Sequence, residues 1–486
     1  MKNNEILLDV IGETNDELIP DITRKKKMPN IVKWAAVGSV GMAAVIAGVI
    51  ILPGISNIST GGPAPQLIPG TNVMKLAAAV YPEMPGYPVD NDDNDASTFN
   101  EWTKATRALR NQPEGYKDGF DGFFAETAKT FLNGAETKNM VYSPLSLYMA
   151  LGMSAEITDG NTRKQIIDLL GQENIDKLRS HSKSIWQANY MDDGMAECIL
   201  ATSLWANNAY TYNNNTLASV ADNYYSSVFS GDPGSEDYNK AMRDWMNDQT
   251  DGLLEEYISE MKMDPEMLLT IASTVNYSGK WLQKFDEELT AESSFHSPSG
   301  DITCDFMNMF TDTYCSYGDK FRAISMNLEN NGEMRLILPD EGVTPEELIN
   351  DDEVFRYMMN QRNTIYTDSK HVIADISVPK FDISSSIDLN EGLKKLGVTD
   401  IFDSSQADFS PLTDSSDGIV LSKAEQDTRV MIDENGCKAS SLTVMEYCGA
   451  AVIEDQVKLV YDRPFIFEIM SETGLPLFVG IVNSPV

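Results

Sequence analysis

The sequence predicts one large α+β domain carried behind an apolar segment, and three observations predict it. Helix-period stretches such as Leu145–Leu170 and Tyr238–Ile258 alternate irregularly with strand-like runs such as Met334–Leu338 and Val372–Val378. Neither a second linker nor an internal repeat interrupts the chain from about residue 72 to its end. Regular βαβ units would bring strand and helix in strict turn, so this mixture favours α+β over a parallel α/β sheet. With 486 residues, 42% of them hydrophobic, the chain has apolar side chains enough for a sizeable core.

The third observation is the run WAAVGSVGMAAVIAGVIIL, residues 34–52, whose 19 uncharged residues are about the length that crosses a hydrocarbon layer as a helix. Arg24, Lys25, Lys26, Lys27 and Lys33 precede it, and Pro53-Gly54 ends it. The basic flank predicts a cytoplasmic tail at 1–33, a transmembrane helix or uncleaved signal anchor at 34–52, and an extracellular remainder. A cleaved secretory signal is the rival reading, with the same destination for the domain. The long leading segment and the missing small-residue cleavage site favour the anchor. A buried globular helix would show a polar face, and this run has none. Residues 53–71, rich in Pro, Gly and Ser, read as a linker, which leaves 72–486 as the domain.

Formal net charge is −37, from 74 acidic and 37 basic side chains, the wrong sign for a nucleic-acid partner. His181, His296 and His371 fall in no metal-ligand spacing. Asp90, Asp92, Asn94 and Glu101 approach a calcium-loop pattern, but Asp95 stands where the turn glycine is required. The prolines of YPEMPGYPV also forbid the entering helix, so a solvated acidic loop is expected there. Five cysteines, with no Cys-x-x-Cys pair, predict no disulfide framework, although a Cys304–Cys315 hairpin bridge stays open. No G-x-S-x-G, H-E-x-x-H or P-loop motif occurs. Ser278, Ser440 and Ser441 have no histidine near them in sequence. The expectation is therefore a chain with no catalytic residues, no metal, no cofactor and no small-molecule substrate.

Residues 139–171, NMVYSPLSLYMALGMSAEITDGNTRKQIIDLLG, open on Ser-Pro, a helix-starting pair. They resemble the second-helix signature of serpins through Asn139, Ser143, Pro144, Ser146, Gly160, Thr162 and Gln165. Four further segments match in the family's order. They are AMRDWMNDQTDG (241–252), TVNYSGKWLQKFDEELTAESSF with Gly279 and Trp281, VPKFDISSSIDLNEGLKKLGVTDIFDSSQADFS with Pro379 and Phe381, and RPFIFEIMSETGLPLFVGIVNSP with Pro464 and Asn483. The resemblance spans about 370 residues and is weaker before residue 117. It implies a serpin fold, about eight or nine helices around three β-sheets with an exposed reactive-centre loop. It also implies a polar cluster under the central sheet that supports sheet opening, beside Trp281. Ser143 and Ser146 keep their places in that cluster, while Ser273 stands where the family has asparagine and Gln426 where it has histidine. Both replacements still donate and accept hydrogen bonds.

The resemblance implies a suicide inhibitor of extracellular serine proteases. The target cuts the loop, stays bound as a covalent acyl complex, and the loop enters the central sheet as a strand. The implied hinge comprises Glu434, Gly436, Cys437, Ala439, Ser441 and Thr443. Strand geometry tests it, because alternate side chains must face the core. Cys437, Ala439, Ser441 and Thr443 form one series, small and uncharged, while Lys438 and Glu446 fall in the other. An inserted strand would therefore bury no charge, although an ordinary edge strand fits the same pattern. Counting from Glu434 places the scissile bond at Ala450-Ala451, a small residue suited to the shallow pocket of an elastase-like or subtilisin-like enzyme. The absence of Arg and Lys from 439–457 argues against trypsin-like targets. The stretch before Pro464 is about three residues longer than usual, so Tyr447 and Ile453 compete as recognition residues. Cys437 and Leu442 depart from the usual hinge residues, which keeps a non-inhibitory serpin acting as a binding module as the alternative.

Overall fold

The computed structural model describes residues 65–88, 96–329, 332–360, 366–415, 418–421, 424–437 and 455–486. The apolar run 34–52 and the tail before it lie outside the described residues. Among those described, no helix is long and apolar enough to cross a membrane.

Seven longer helices carry most of the helical content: α1 (Ala96–Arg110), α2 (Phe120–Leu132), α3 (Pro144–Glu156), α4 (Gly160–Leu169), α5 (Ile175–Asn189), α6 (Asn214–Tyr224) and α7 (Glu236–Gln249). Four short ones follow: α8 (Glu255–Ile258), α9 (Pro345–Ile349), α10 (Asp352–Met358) and α11 (Asn390–Lys395). The eleven among the described residues exceed the eight or nine expected, because local capping turns loops into short helices. Thr344 caps α9 by accepting from the Glu347 N–H at 3.2 Å, and Asp351 caps α10 in the same way at 3.0 Å. The expected Leu145–Leu170 stretch is two helices. Gly160 adopts φ +56° at the break, where Asp159 N–H donates to the Asp408 carbonyl instead of continuing the ladder.

The central sheet runs β1 (Gln66–Leu67), β2 (Met74–Ala77), β6 (Ser226–Gly231), β5 (Glu197–Asn207), β7 (Leu269–Lys280) and β15 (Gly436–Cys437), with β4 (Met191–Asp192) beside β5. A second sheet runs β16 (Gln456–Val460), β12 (Ser369–Pro379), β9 (Gly300–Tyr317), β10 (Phe321–Asn327), β11 (Glu333–Pro339), β17 (Phe465–Met470), β18 (Pro476–Val482) and β3 (Met140–Tyr142), with β8 (Ala291–Ser297) on β9. The third is the pair β13 (Phe381–Asp388) and β14 (Glu425–Ile432). Two expectations change here. Gln66 and Leu67, inside the stretch read as linker, pair with Lys75 and Met74 at the edge of the central sheet. Cys304 and Cys315 lie on one continuous strand, β9, so no hairpin brings them together, and both are buried free thiols.

Strand periodicity divides the core. Leu200 and Leu204 of β5 join the main core around α3, while Ala201 and Trp205 face a smaller core under α7. Trp205 stacks on Phe229 at 4.3 Å, meets Tyr238 of α7 edge-on at 5.5 Å, and donates to Ser203 Oγ at 2.8 Å. Ile68 and Val73, in the connection between β1 and β2, are buried in the same cluster. Trp205→Ala should cost about 3–5 kcal/mol, read as a lower urea midpoint. A loss below about 1 kcal/mol would show that this core does not hold α7 against the sheet.

Candidate functional site

Two strands, β7 and β14, flank a cleft rather than a ladder among the described residues. Among the described residues β7 pairs with β5 on one side and with β15 over its last two residues on the other, while β14 pairs with β13. Ser273, Thr274 and Val275 of β7 and Gln426 to Arg429 of β14 line the cleft. The first turn of α3 at Ser143 and Ser146 forms its floor, and Thr250, Leu253 and Leu254 after α7 with Phe478 of β18 complete the lining.

That one helix turn fastens both strands. Ser143 caps α3, and its own N–H, which no helical carbonyl can accept, donates to Gln426 Oε1 at 2.7 Å. Gln426 Nε2 returns a bond to the Ser143 carbonyl at 3.0 Å, so the side-chain amide pairs with the backbone as a strand would. Three residues on, Ser146 Oγ donates to Ser273 Oγ at 2.9 Å, and Ser273 Oγ contacts the Ser146 carbonyl at 3.2 Å. Gln426 thus ties β14, and Ser273 ties β7, to adjacent groups of the same turn. Arg429 adds a brace on the other side. Its Nε and Nη2 donate to the Asp382 carboxylate at 2.7 and 2.6 Å, and Nη1 donates to the Leu253 carbonyl at 3.0 Å.

At the end of the cleft the chain reverses. Asp433 and Gly436 form a bridge, Asn435 N–H donates to Asp433 Oδ1 at 2.8 Å, and Gly436-Cys437 run antiparallel to Lys280-Gly279. Gly436 has φ +133°, and a Cβ there would stand 2.5 Å from the Gly279 carbonyl oxygen. Only glycine fits this approach. Trp281, 1% exposed, seals the turn, with Nε1 donating to the Asp433 carbonyl at 2.8 Å and its backbone N–H to the Asn435 carbonyl at 3.1 Å. Glu434 is buried beneath. It accepts from Thr290 Oγ1 at 2.7 Å and pairs with Lys380 Nζ at 3.0 Å. Burial opposes its charge, yet the Thr290 hydrogen bond and the Lys380 ammonium hold the carboxyl below the usual glutamate range. The Glu434 hydrogen bond in turn raises Lys380 against its partial desolvation.

The structure therefore brings Ser143, Ser146, Ser273 and Gln426 into one cluster, and Trp281, Glu434 and Gly436 into a second. Ala439, Ser441, Thr443, Ala450 and Ala451 lie outside the described residues, and Cys437 is described by its backbone in β15. Sequence reasoning missed Lys380 and Arg429, and it gave Thr290, a matching position of the resemblance, no role in the site. Lys380 stands 54 positions before Glu434, and only the docking of the β12–β13 corner under the turn joins them. The available signal was a lysine flanked by Pro379 and Phe381 inside an otherwise apolar and small-residue stretch.

Gln426→Leu removes both amide bonds at nearly constant volume and strands a buried Ser143 N–H. It should cost about 1–3 kcal/mol in urea unfolding, and a change under about 0.5 kcal/mol would show that β14 is held by other contacts. The Glu434–Lys380 pair predicts a definite pH dependence. Because the glutamate is lowered in the folded state, its stabilisation is present above the unfolded carboxyl pKa and is lost as pH falls through the folded value. The lysine is raised, so its share is present below the unfolded lysine pKa and fades as pH rises through the folded value. A stability plateau from roughly pH 5 to 10 is expected from this pair. Glu434→Gln should flatten its acid limb relative to wild type in urea titrations below that range.

A match to the family model described as "Serpin (serine protease inhibitor)" covers residues 121–485. The chain is 28% identical over 372 residues to an alpha-1-antiproteinase of Rattus norvegicus, covering 74% of this chain and 86% of that protein. It is 25% identical over 366 residues to an uncharacterized serpin-like protein of Methanosarcina acetivorans, covering 72% and 82%. The crystal structure of tengpin, a thermophilic serpin in its native state, superposes with a TM-score of 0.67 at 25% identity, over 77% of this chain and 95% of that one. The cleft flanked by β7 and β14, the turn at its end and this match over most of the chain agree, and the protein belongs to the serpin family.

Proposed function

We propose that this chain is a suicide inhibitor of extracellular serine proteases with elastase-like or subtilisin-like specificity. The observation that carries the reading is β15. Directly after β14 the chain turns through Glu434 and Gly436 and starts back antiparallel to β7, at the end of a cleft flanked by two strands that share no ladder among the described residues. Residues continuing that course would enter the central sheet as a strand, and the small, uncharged series Cys437, Ala439, Ser441 and Thr443 suits burial there.

In this reading the protease serine attacks the Ala450 carbonyl, the bond to Ala451 breaks, and the new amine on Ala451 leaves with the proton relayed by the protease histidine. The acyl ester between the serine and Ala450 remains. Insertion of the freed loop makes roughly a dozen ladder hydrogen bonds at about 0.5–1.5 kcal/mol each. With side-chain packing added, this release rivals whole-domain stability and is available to distort the tethered protease before water hydrolyses the ester. The uncut protein is then metastable, held by a kinetic barrier to which the Gln426, Ser273 and Glu434 contacts contribute. The segment 34–52 with its basic flank would anchor the inhibitor to a membrane with the domain outside the cell. A second reading, a non-inhibitory serpin acting as a binding module, is favoured only by Cys437 and Leu442 in the hinge.

Incubation with elastase-like and subtilisin-like proteases should give a denaturant-resistant covalent complex and a released peptide beginning at Ala451, identified by its mass. Cleavage of the loop without a complex would sink the inhibitory reading for those enzymes. Cys437→Arg should convert inhibitor to substrate, because a guanidinium at an inward position blocks insertion; undiminished inhibition would refute that inward assignment.

A further inference from the structure

Buried strands rarely carry charge, yet β11 and β17 place three ionisable side chains on one face of the second sheet. Glu333 and Arg335 stand two positions apart on β11 and so point the same way, and Arg335 opposes Glu468 of β17 across the ladder. All three are buried, and Glu468 is 0% exposed. Among the described residues, Tyr357 of α10 is the other titratable group that faces Glu468. Its ring centroid lies 5.6 Å from the Arg335 guanidinium.

The guanidinium is committed before it reaches Glu468. Nη1 donates to the Tyr357 and Met358 carbonyls at 3.1 and 2.5 Å, and Nη2 donates to the Asn360 carbonyl at 2.7 Å. These bonds close the C-terminal end of α10, whose last carbonyls have no helical partner. Nε donates to Glu333 Oε1 at 2.7 Å, and Nη2 lies 2.6 Å from the same oxygen. Every N–H of the arginine thus has a nearer acceptor than Glu468. Glu468 Oε2 stands 3.4 Å from Nη1, and its Oε1 has no hydrogen-bond partner. With both carboxyls ionised the buried group is net negative, and the end of α10 adds partial negative charge of its own. Burial, with Arg335 opposing it and Glu333 adding to it, pushes the Glu468 carboxyl up to about 8.

We propose that Glu468 carries a proton in the folded protein and that this proton fastens the end of α10 to the second sheet, a hold that loosens as pH rises. The inference is independent of the inhibitor reading. Oε2 faces Nη1, so the proton belongs on Oε1. Neutral Glu468 leaves Arg335 balanced by Glu333 and committed to the α10 carbonyls. Ionised Glu468 competes for Nη1 and sets a second negative charge beside those carbonyls. Because the carboxyl is raised in the folded state, the cost of ionising it is absent below the unfolded glutamate pKa. That cost grows as pH climbs towards the folded value and is constant above it. Opening of α10 that wets the carboxyl releases one proton, so within this window it becomes about tenfold easier per pH unit.

Hydrogen exchange at the α10 amides reads that opening, and Glu468→Gln supplies the comparison, since intrinsic rates cancel between chains identical over 352–358. Wild-type protection relative to the variant should fall about tenfold or more between about pH 6 and about pH 8. Parallel profiles overturn the proposal. The infrared band of a protonated carboxyl should be present in wild type at about pH 6, where exposed carboxyls are ionised, and absent from Glu468→Gln. A band that survives the substitution overturns the placement of the proton on Glu468. Glu333→Gln removes the second carboxylate, so the band should titrate at lower pH than in wild type; an unmoved midpoint overturns the proposal. Wild type and Glu333→Gln decide the question by this titration even where Glu468→Gln fails to fold.

Discussion

The first turn of α3 is the constraint on which the rest of this serpin depends. A helix N-terminus always presents backbone groups that its own ladder cannot use. Here the cap residue's N–H and carbonyl engage Gln426, and the serine one turn position later engages Ser273. Two strands without a ladder between them, among the described residues, are thereby registered through a third element. The bonds are few and each is modest, yet they are buried, and a buried polar group left without its partner costs more than the bond itself contributes. Such a cluster holds the sheet in one arrangement without committing it to a continuous hydrogen-bonded ladder.

The end of the cleft uses a different physics. A carboxylate with little exposure would ordinarily resist ionisation, but the threonine hydroxyl and the lysine ammonium around Glu434 reverse the preference. Trp281 and Gly436 supply the steric half of the arrangement: one fills the space behind the turn, and the other lets the backbone come within contact of Lys280. The cost of burying charge and the need for a glycine both fall at the point where β14 gives way to β15. Buried charge at such a junction survives only while the surrounding contacts stay in place.

The segment before the family match also belongs to the domain. β1 and β2 extend the central sheet beyond β6, and Ile68 and Val73 share a core with α7. Asn72 bonds to Asp237 at the start of α7 through both its backbone N–H and its side chain, at 3.1 and 2.9 Å. Further along, Tyr81 packs on Trp186, Tyr190 and Tyr225. Residues read from composition as linker are thus partly a sheet edge, because Gln66 and Leu67 meet an unfilled strand edge that no local pattern announces.

Much of the fold was legible along the chain. The Ser-Pro start of α3, the strand at 372–378 and the glycine at 436 are local facts, fixed by caps, periods and steric freedom that adjacent residues reveal. The positions of Ser273 and Gln426 in the polar cluster came from motif order, since their spacing from Ser143 carries no physical signal of its own. Other features were decided only by tertiary structure. Lys380 meets Glu434 because a strand corner docks under a turn, Cys304 and Cys315 stay apart because one strand runs straight through both, and the Leu145–Leu170 stretch breaks at a glycine where a distant carbonyl captures Asp159. Sequence by itself determined the α+β class and the family. Which charge partners Glu434 depended on contacts between segments far apart in the chain, and local propensity carries no information about those.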